Sequence, residues 1–184
     1  MSEADTPWAR LACRVVRVAM ARKEFTYASL VQAFIADGVE ETERSLVLRI
    51  TRGTLRLSSL LHILSLMSAS APELWRASLS AENDWSARSR DVVLAELQEG
   101  GMTDLAELTE RLKKLGTVVS EKGLEGHIMA GTIPLSLCLQ LIYILRSHSL
   151  ERYIDFSDII KAAEHATVGW SNNGLELPQK SARL

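Results

Sequence analysis

Four arginines lie within thirteen residues in the first half of the chain: Arg44, Arg49, Arg52 and Arg56. A guanidinium group binds a phosphate, or the edge of a guanine base, through two parallel hydrogen bonds. On a helical wheel the first three lie opposite the apolar residues of their segment, and Arg56 follows in the next loop. The cluster predicts a surface that contacts double-stranded DNA.

Two hydroxyl residues, Thr42 and Ser45, lie in the same segment and are predicted to support that contact by hydrogen bonding to phosphates. A simpler interpretation of this face is a solvated helix surface. In that case the arginines would pair with nearby acidic residues at positions 40, 41 and 43. The residue pattern leaves both interpretations open.

The arginine segment belongs to a stretch of sequence that occurs twice. Residues 48–64 read LRITRGTLRLSSLLHIL and residues 126–142 read GHIMAGTIPLSLCLQLI, so they share the frame I-x-x-G-T-x-x-L-S-x-x-L. Trp8 and Trp85 open the two copies at an offset of 77 residues. After one inserted residue a fixed offset of 78 relates the copies, and it pairs Gly53 with Gly131. A run of matches at one spacing indicates a tandem duplication.

The duplication and the helical periodicity predict four segments. They are unit one (1–70), a linker (71–84), unit two (85–150), and a C-terminal helix and tail (151–184). In unit one the predicted helices are 7–22, 27–36, 42–52 and one from Ser58, which is also an N-cap candidate. In unit two they are 86–98, 104–115, 120–130 and 136–146, and a last helix starts near Ser157. Glycine and proline are scarce, at 10 and 4 residues, so an all-α fold is expected.

Particular residues mark the helix ends and the cores of the units. Thr26 is the predicted N-cap of the second helix, and Gly38 is the predicted glycine at its C-terminal end. Trp8 and Trp85 are expected to seal the cores of their units, and Trp75 is expected to pack between the units.

Composition and charge limit the class of protein. The net charge is −2 and the longest apolar run, thirteen residues from Ile133, is too short to cross a bilayer. Cys13 and Cys138 lie in apolar helical patterns, so we expect two buried thiols in a reducing compartment. The polar start of the chain does not resemble a secretory signal. We expect a cytoplasmic protein with no membrane contact.

The run T-Y-x-x-L … G-V-E-E-T-E … R-G, between Thr26 and Gly53, carries a resemblance. It is similar to a small bacterial domain family of unknown function. The wider frame, a T-x-x-x-L helix, a short turn, and a helix ending I-x-R-G before an S-x-x-L-x-I helix, resembles the Cro/lambda-repressor-like helix-turn-helix domains. The helix-turn-helix resemblance implies that the helix after the turn enters the DNA major groove. That helix is 42–52 in unit one and 120–130 in unit two.

Unit two differs from unit one in the outer face of that helix. Residues 1–70 carry nine Lys and Arg against seven Asp and Glu, whereas residues 85–165 carry nine against twelve. Three interpretations of the outer face stay open: packing or dimer contact, drift after the duplication, and DNA contact. Three small residues are the predicted interaction site: Gly123, Gly126 and Ala130. Trp170 is a predicted anchor for a partner.

No catalytic residues, metal site or cofactor are predicted. The four histidines form no metal-ligand pattern, and no phosphate-binding glycine loop or nucleophile elbow occurs. The predicted function is a bacterial DNA-binding protein, a transcriptional regulator or accessory factor acting as a homodimer, in which unit two supports or dimerises. The alternative is a non-enzymatic adaptor that binds a protein partner. A further alternative is a single-chain pseudo-dimer with both units on DNA.

Overall fold

The structure is a computed structural model that describes the backbone of residues 6–173 and the side chains of residues 6–166. In this part of the chain every regular element is helical, which confirms the all-α prediction. The α-helices are α1 (Pro7–Arg22), α2 (Tyr27–Ala36), α3 (Glu43–Thr51), α4 (Leu57–Leu66), α5 (Arg76–Ser80), α6 (Trp85–Glu99), α7 (Leu105–Lys114), α8 (Glu121–Met129), α9 (Leu135–Leu145) and α10 (Phe156–Asn173).

The two residues predicted to mark the ends of α2 are confirmed. The Thr26 side chain accepts a hydrogen bond from the backbone N–H of Ser29 at the start of α2, and Gly38 follows that helix with φ of +82°. The fourth helix of each unit differs from its prediction. It begins one residue earlier than predicted, at Leu57 and Leu135, and Ser58 is not its N-cap.

The reason for this earlier start is a pair of hydrogen bonds between the units. The N–H of Leu57 donates to the carbonyl of Ile133 (3.0 Å), and the N–H of Leu135 donates to the carbonyl of Leu55 (2.8 Å). The bonded pairs are each other's counterparts in the duplication. A reciprocal arrangement of this kind is what a two-fold axis produces, so the units are related by a pseudo-two-fold axis at this bridge.

The first helix of each unit packs against the fourth helix of the other unit. Helix α1 lies on α9, and its counterpart α6 lies on α4. The tryptophans that open the two units also contact the other unit. Trp8 lies beside Tyr143 of α9, and Trp85 stacks on His62 of α4 with the Trp85 and His62 ring centroids 4.4 Å apart. The buried residues consequently form one continuous core.

The two matched glycines permit a close approach of helix backbones. Gly53 and Gly131 have φ of +65° and +62°, which L side chains rarely adopt. A Cβ atom at Gly53 would lie 2.1 Å from the carbonyl oxygen of Ala9, and one at Gly131 would lie 1.9 Å from that of Ser86. The repeated glycine therefore allows the loop after the third helix to touch the first helix.

The linker and the last helix join the two units further. The linker contains a 3₁₀ turn (Glu73–Trp75) and α5, and Trp75 is fully buried with its indole N–H donating to Glu96 of α6 (2.6 Å). Helix α10 begins one residue before the predicted start and packs on both α1 and α9. An ion pair between Arg14 and Asp158 (2.7 Å) connects α10 to α1.

Candidate nucleic-acid interface

Helix α3 is held in place by its apolar face. Leu46 and Ile50 are completely buried, one turn apart, and Thr42 caps the helix by accepting a hydrogen bond from the N–H of Ser45 (3.2 Å). Because these contacts orient the helix, its outer face is exposed. That face includes Arg44 and Leu48.

Arg49 occupies a different environment from the other arginines. Its guanidinium forms an ion pair with Glu41, whose side chain is only 9% exposed. The Nε atom of Arg49 is buried and has no hydrogen-bond partner, and partial burial lowers the pKa of this residue. Arg49 therefore fastens the segment before α3 to the helix. The simpler interpretation, pairing with neighbouring glutamates, is right for this arginine.

The remaining three arginines, Arg44, Arg52 and Arg56, are exposed and form no ion pair with any residue that the structure describes. Arg52 ends α3 beside Gly53, which rests on the start of α1. Arg56 takes part in the bridge between the units, so it lies beside the pseudo-two-fold axis. The surface formed by Arg44, Arg52 and Arg56, hereafter the arginine surface, extends from α3 to that axis.

The corresponding face of α8 in unit two has a different chemistry. Lys122 takes the place of Arg44, and Ala130 that of Arg52. A Cβ atom at Gly126 would meet no atom within 4 Å, and one at Gly123 would meet only the preceding turn. No other backbone in the described chain approaches these glycines, so intramolecular packing does not account for them. The predicted interaction residue Trp170 lies outside the residues whose side chains are described.

An apolar groove of about 250 Å³ lies between α6 and α8. Leu94 and Met129 line it and are 42% and 55% exposed. At the matched positions of unit one the residues are Arg17 and Thr51. The same surface is therefore polar and basic in unit one and apolar in unit two.

The Cys138 thiol and side chains of the metal-binding types are further potential sources of chemistry in the described part of the chain. Cys138 is buried, and burial together with the nearby Glu96 raises the pKa of its thiol, which keeps it protonated and unreactive. Among the described residues no group of three His, Cys, Asp or Glu side chains could hold a metal ion. In the same part of the chain, no helix has the length and apolar character needed to span a bilayer.

Sequence patterns did not single out the partner of Arg49 among the three nearby glutamates. Glu41 lies eight residues before Arg49, outside the three- or four-residue spacing at which helical side chains meet. It reaches the arginine only because the chain between α2 and α3 folds back along α3. The one available signal was the run of glutamates before the helix, and it does not distinguish among them.

These observations define an all-α protein built from two copies of one four-helix unit around a pseudo-two-fold axis. The model of a family described as Domain of unknown function (DUF6471) matches residues 8–71 and again residues 85–150. The chain therefore belongs to this family and carries its domain twice, which confirms the tandem duplication. No curated protein and no solved structure matches the chain.

Proposed function

We propose that this is a cytoplasmic, non-enzymatic DNA-binding protein, a transcriptional regulator or accessory factor, that contacts double-stranded DNA through unit one. The observation that carries the proposal is the arginine surface, whose three side chains are exposed and unpaired among the described residues. Unpaired guanidinium groups on and next to a packed helix are suited to phosphate and base contacts. The resemblance to helix-turn-helix domains supports α3 as the contacting element.

Within this proposal Arg49 has a positioning role. Its ion pair with Glu41 would have to break before it could reach DNA, and this would leave a poorly hydrated carboxylate unpaired. Thr42 and Ser45 are both used in capping α3. Their contribution is to hold the helix end in position, with the exposed Ser45 hydroxyl adjacent to the arginine surface.

Unit two supports unit one in this proposal. Helix α3 packs on α1 and α2 of its own unit, and α1 in turn rests on α9, so unit two supports α3 indirectly. A single chain presents one arginine-rich α3 and one α8 with few charges. Contact with two equivalent half-sites would therefore require a homodimer.

Binding to a labelled random-sequence duplex, followed by fluorescence anisotropy between about 50 and 200 mM salt, tests the proposal. Affinity should fall steeply with salt, because phosphate contacts release counterions. The variant Arg44→Ala/Arg52→Ala should bind more weakly and reduce the slope of log K against log salt by about 2.

The matched control is Lys122→Ala/Arg152→Ala, which removes the same charge from two exposed positions outside unit one, Lys122 in unit two and Arg152 just after it. It should keep the wild-type slope if unit one is the contact surface. Equal losses in the two double variants would point to diffuse attraction by net charge. Absence of binding at the lowest salt, with the protein folded, would contradict the proposal.

The second candidate is a protein-interaction adaptor that does not bind DNA. The observation that favours it is the groove lined by Leu94 and Met129, because exposed apolar patches often mark interaction sites. Leu94→Arg/Met129→Thr would place the residue types of unit one there. DNA binding that is unchanged in this variant would show that the groove takes no part in the proposed function.

A further inference from the structure

A second cavity, of about 650 Å³, lies between α7, α9 and α10 on the side of unit two. Three of its lining residues are basic: Arg111, Lys114 and Arg146. Others are apolar or aromatic: Tyr143, Phe156 and Ile160. The cavity volume lies within the range of about 300–1,000 Å³ found for small-molecule sites.

The charge in this cavity has one sign, although unit two as a whole is acidic. No acidic residue lines the cavity. Arg111 forms an ion pair with Glu107 on its own helix, whereas Lys114 and Arg146 form none with the described residues. The cavity therefore has positive charge available for an anion.

The remaining residues that line the cavity are apolar or aromatic. Ile160 of α10 is 38% exposed, and Tyr143 and Phe156 are half-buried. The Phe156 ring packs against His148, with centroids 5.0 Å apart, which holds that ring in place. A molecule in the cavity would therefore meet both cations and hydrocarbon.

The duplication provides an internal comparison for this cavity. The positions of unit one that match Arg111, Lys114 and Arg146 hold Ala33, Ala36 and Ser68. The backbone is the same, since Arg146 and Ser68 both have positive φ, of 53° and 48°. Unit one therefore has the same backbone turn without the basic side chains, and α10 has no counterpart in the duplication.

We propose that this cavity binds a small organic carboxylate with an apolar body, such as a medium-chain fatty acid. The carboxylate would lie among Arg111, Lys114 and Arg146, and the chain would lie against Tyr143, Phe156 and Ile160. Ion pairing gives the orientation, and burial of hydrocarbon gives most of the affinity. This binding site does not depend on the DNA contact proposed for unit one.

Titration calorimetry of the full chain with decanoate, below its micellar concentration, tests this site. Decyltrimethylammonium tests the sign of the charge, and acetate tests the carboxylate without the apolar body. Decanoate should bind at least about tenfold more tightly than either. In ¹H–¹³C spectra the methyl signals of Ile144 and Ile160 should shift, while those of Ile35, exposed in unit one, should not.

The variant Arg111→Ala/Lys114→Ala carries the residues of unit one at two exposed helical positions, so it should fold. It should weaken decanoate binding about tenfold. Lys113→Ala is the matched control, because Lys113 lies on the same helix but does not line the cavity, and it should bind as wild type.

Three results would overturn the proposal. They are equal affinity for decanoate and decyltrimethylammonium, equal losses in the double variant and the control, and no heat of binding with the isoleucine signals unmoved. A loss of decanoate binding in Ile160→Ser, with acetate still failing to bind, would support the apolar residues as part of the site.

Discussion

Units one and two make the same backbone contacts and carry different side chains on their outer faces. Both place a glycine with positive φ against the start of a first helix, and both donate one hydrogen bond across the pseudo-two-fold axis. On the outer face, however, Arg52 of unit one corresponds to Ala130 of unit two. At the cavity beside α10 it is unit two that carries the basic side chain, because Lys114 of unit two corresponds to Ala36 of unit one.

This comparison teaches that the two halves have the same structural requirements and different chemistry. A buried leucine or a glycine in close contact is constrained by its neighbours in both copies. A solvent-exposed position has no such constraint, so one copy can acquire cations where the other has alanine. The duplication thus supplies two surfaces on one rigid scaffold.

The largest expected effect comes from separating the units. A chain ending at residue 71 should fail to fold, because α1 and α4 would lose the faces they bury against α9 and α6. Far-UV circular dichroism and a urea titration would show low helicity and no cooperative transition. A sigmoidal unfolding curve for the isolated half would show that its helices do not need the other unit in order to pack.

The glycines should give the next largest effect. Gly53→Ala and Gly131→Ala should each lower the free energy of unfolding by more than about 4 kcal/mol, because the new Cβ would overlap a helix carbonyl.

Gly38→Ala is the control for the glycine variants, since Gly38 also has positive φ but an added Cβ there meets no atom within 4 Å. Only the left-handed conformation is penalised, at about 1–2 kcal/mol. Urea denaturation would measure all three variants. A loss at Gly53 no greater than that at Gly38 would show that the close approach is not required.

The arginines in and next to α3 should differ in how much they stabilise the fold. Arg49→Ala should lower the free energy of unfolding by about 2 kcal/mol, because the poorly exposed Glu41 carboxylate loses its partner. Arg52→Ala should change the free energy of unfolding by less than about 0.5 kcal/mol. The same small change is expected for His127→Ala, at the position of unit two that matches Arg49. Equal values for Arg49 and Arg52, measured in urea, would mean that the ion pair is not formed in solution.

The smallest effect concerns the attachment of α10. Hydrogen bonding from Lys161 and the charge of Arg14 hold the pKa of Asp158 below its ordinary value of 3.8. A lowered pKa means that the carboxylate stabilises the fold above that ordinary value and that this stabilisation is lost as the pH falls through the lowered pKa. Asp158→Asn should therefore be less stable than wild type at pH 6, and the gap should narrow toward pH 3.

Glu125→Gln, on the exposed surface of α8, provides a control for the pH series. Its unfolding curves should follow those of wild type at each pH. A gap between wild type and Asp158→Asn that does not change with pH would show that the side chain acts through packing and not through its charge.

Much of the fold was predictable from local patterns. The helices follow from apolar periodicity, the N-cap of α2 from Thr26, and the duplication from the fixed offset. The capping role of Thr42 was not predicted, because the pattern placed Thr42 inside the helix. The outer face of α3 was also predictable, since the burial of Leu46 and Ile50 determines which residues face away. The early starts of α4 and α9 were missed, because they depend on a bridge between segments 78 residues apart.

By itself the sequence determined the repeated unit and its helices, because these depend on neighbours close along the chain and on the fixed offset between the copies. The tertiary structure alone decided that α1 packs on α9 and α6 on α4, that Arg49 pairs with Glu41, and that three cations meet the apolar side of α10. Those outcomes depend on contacts between distant residues. Periodicity shows that a helix has a face to bury, but the choice of partner for that face is made by the packing of the whole chain.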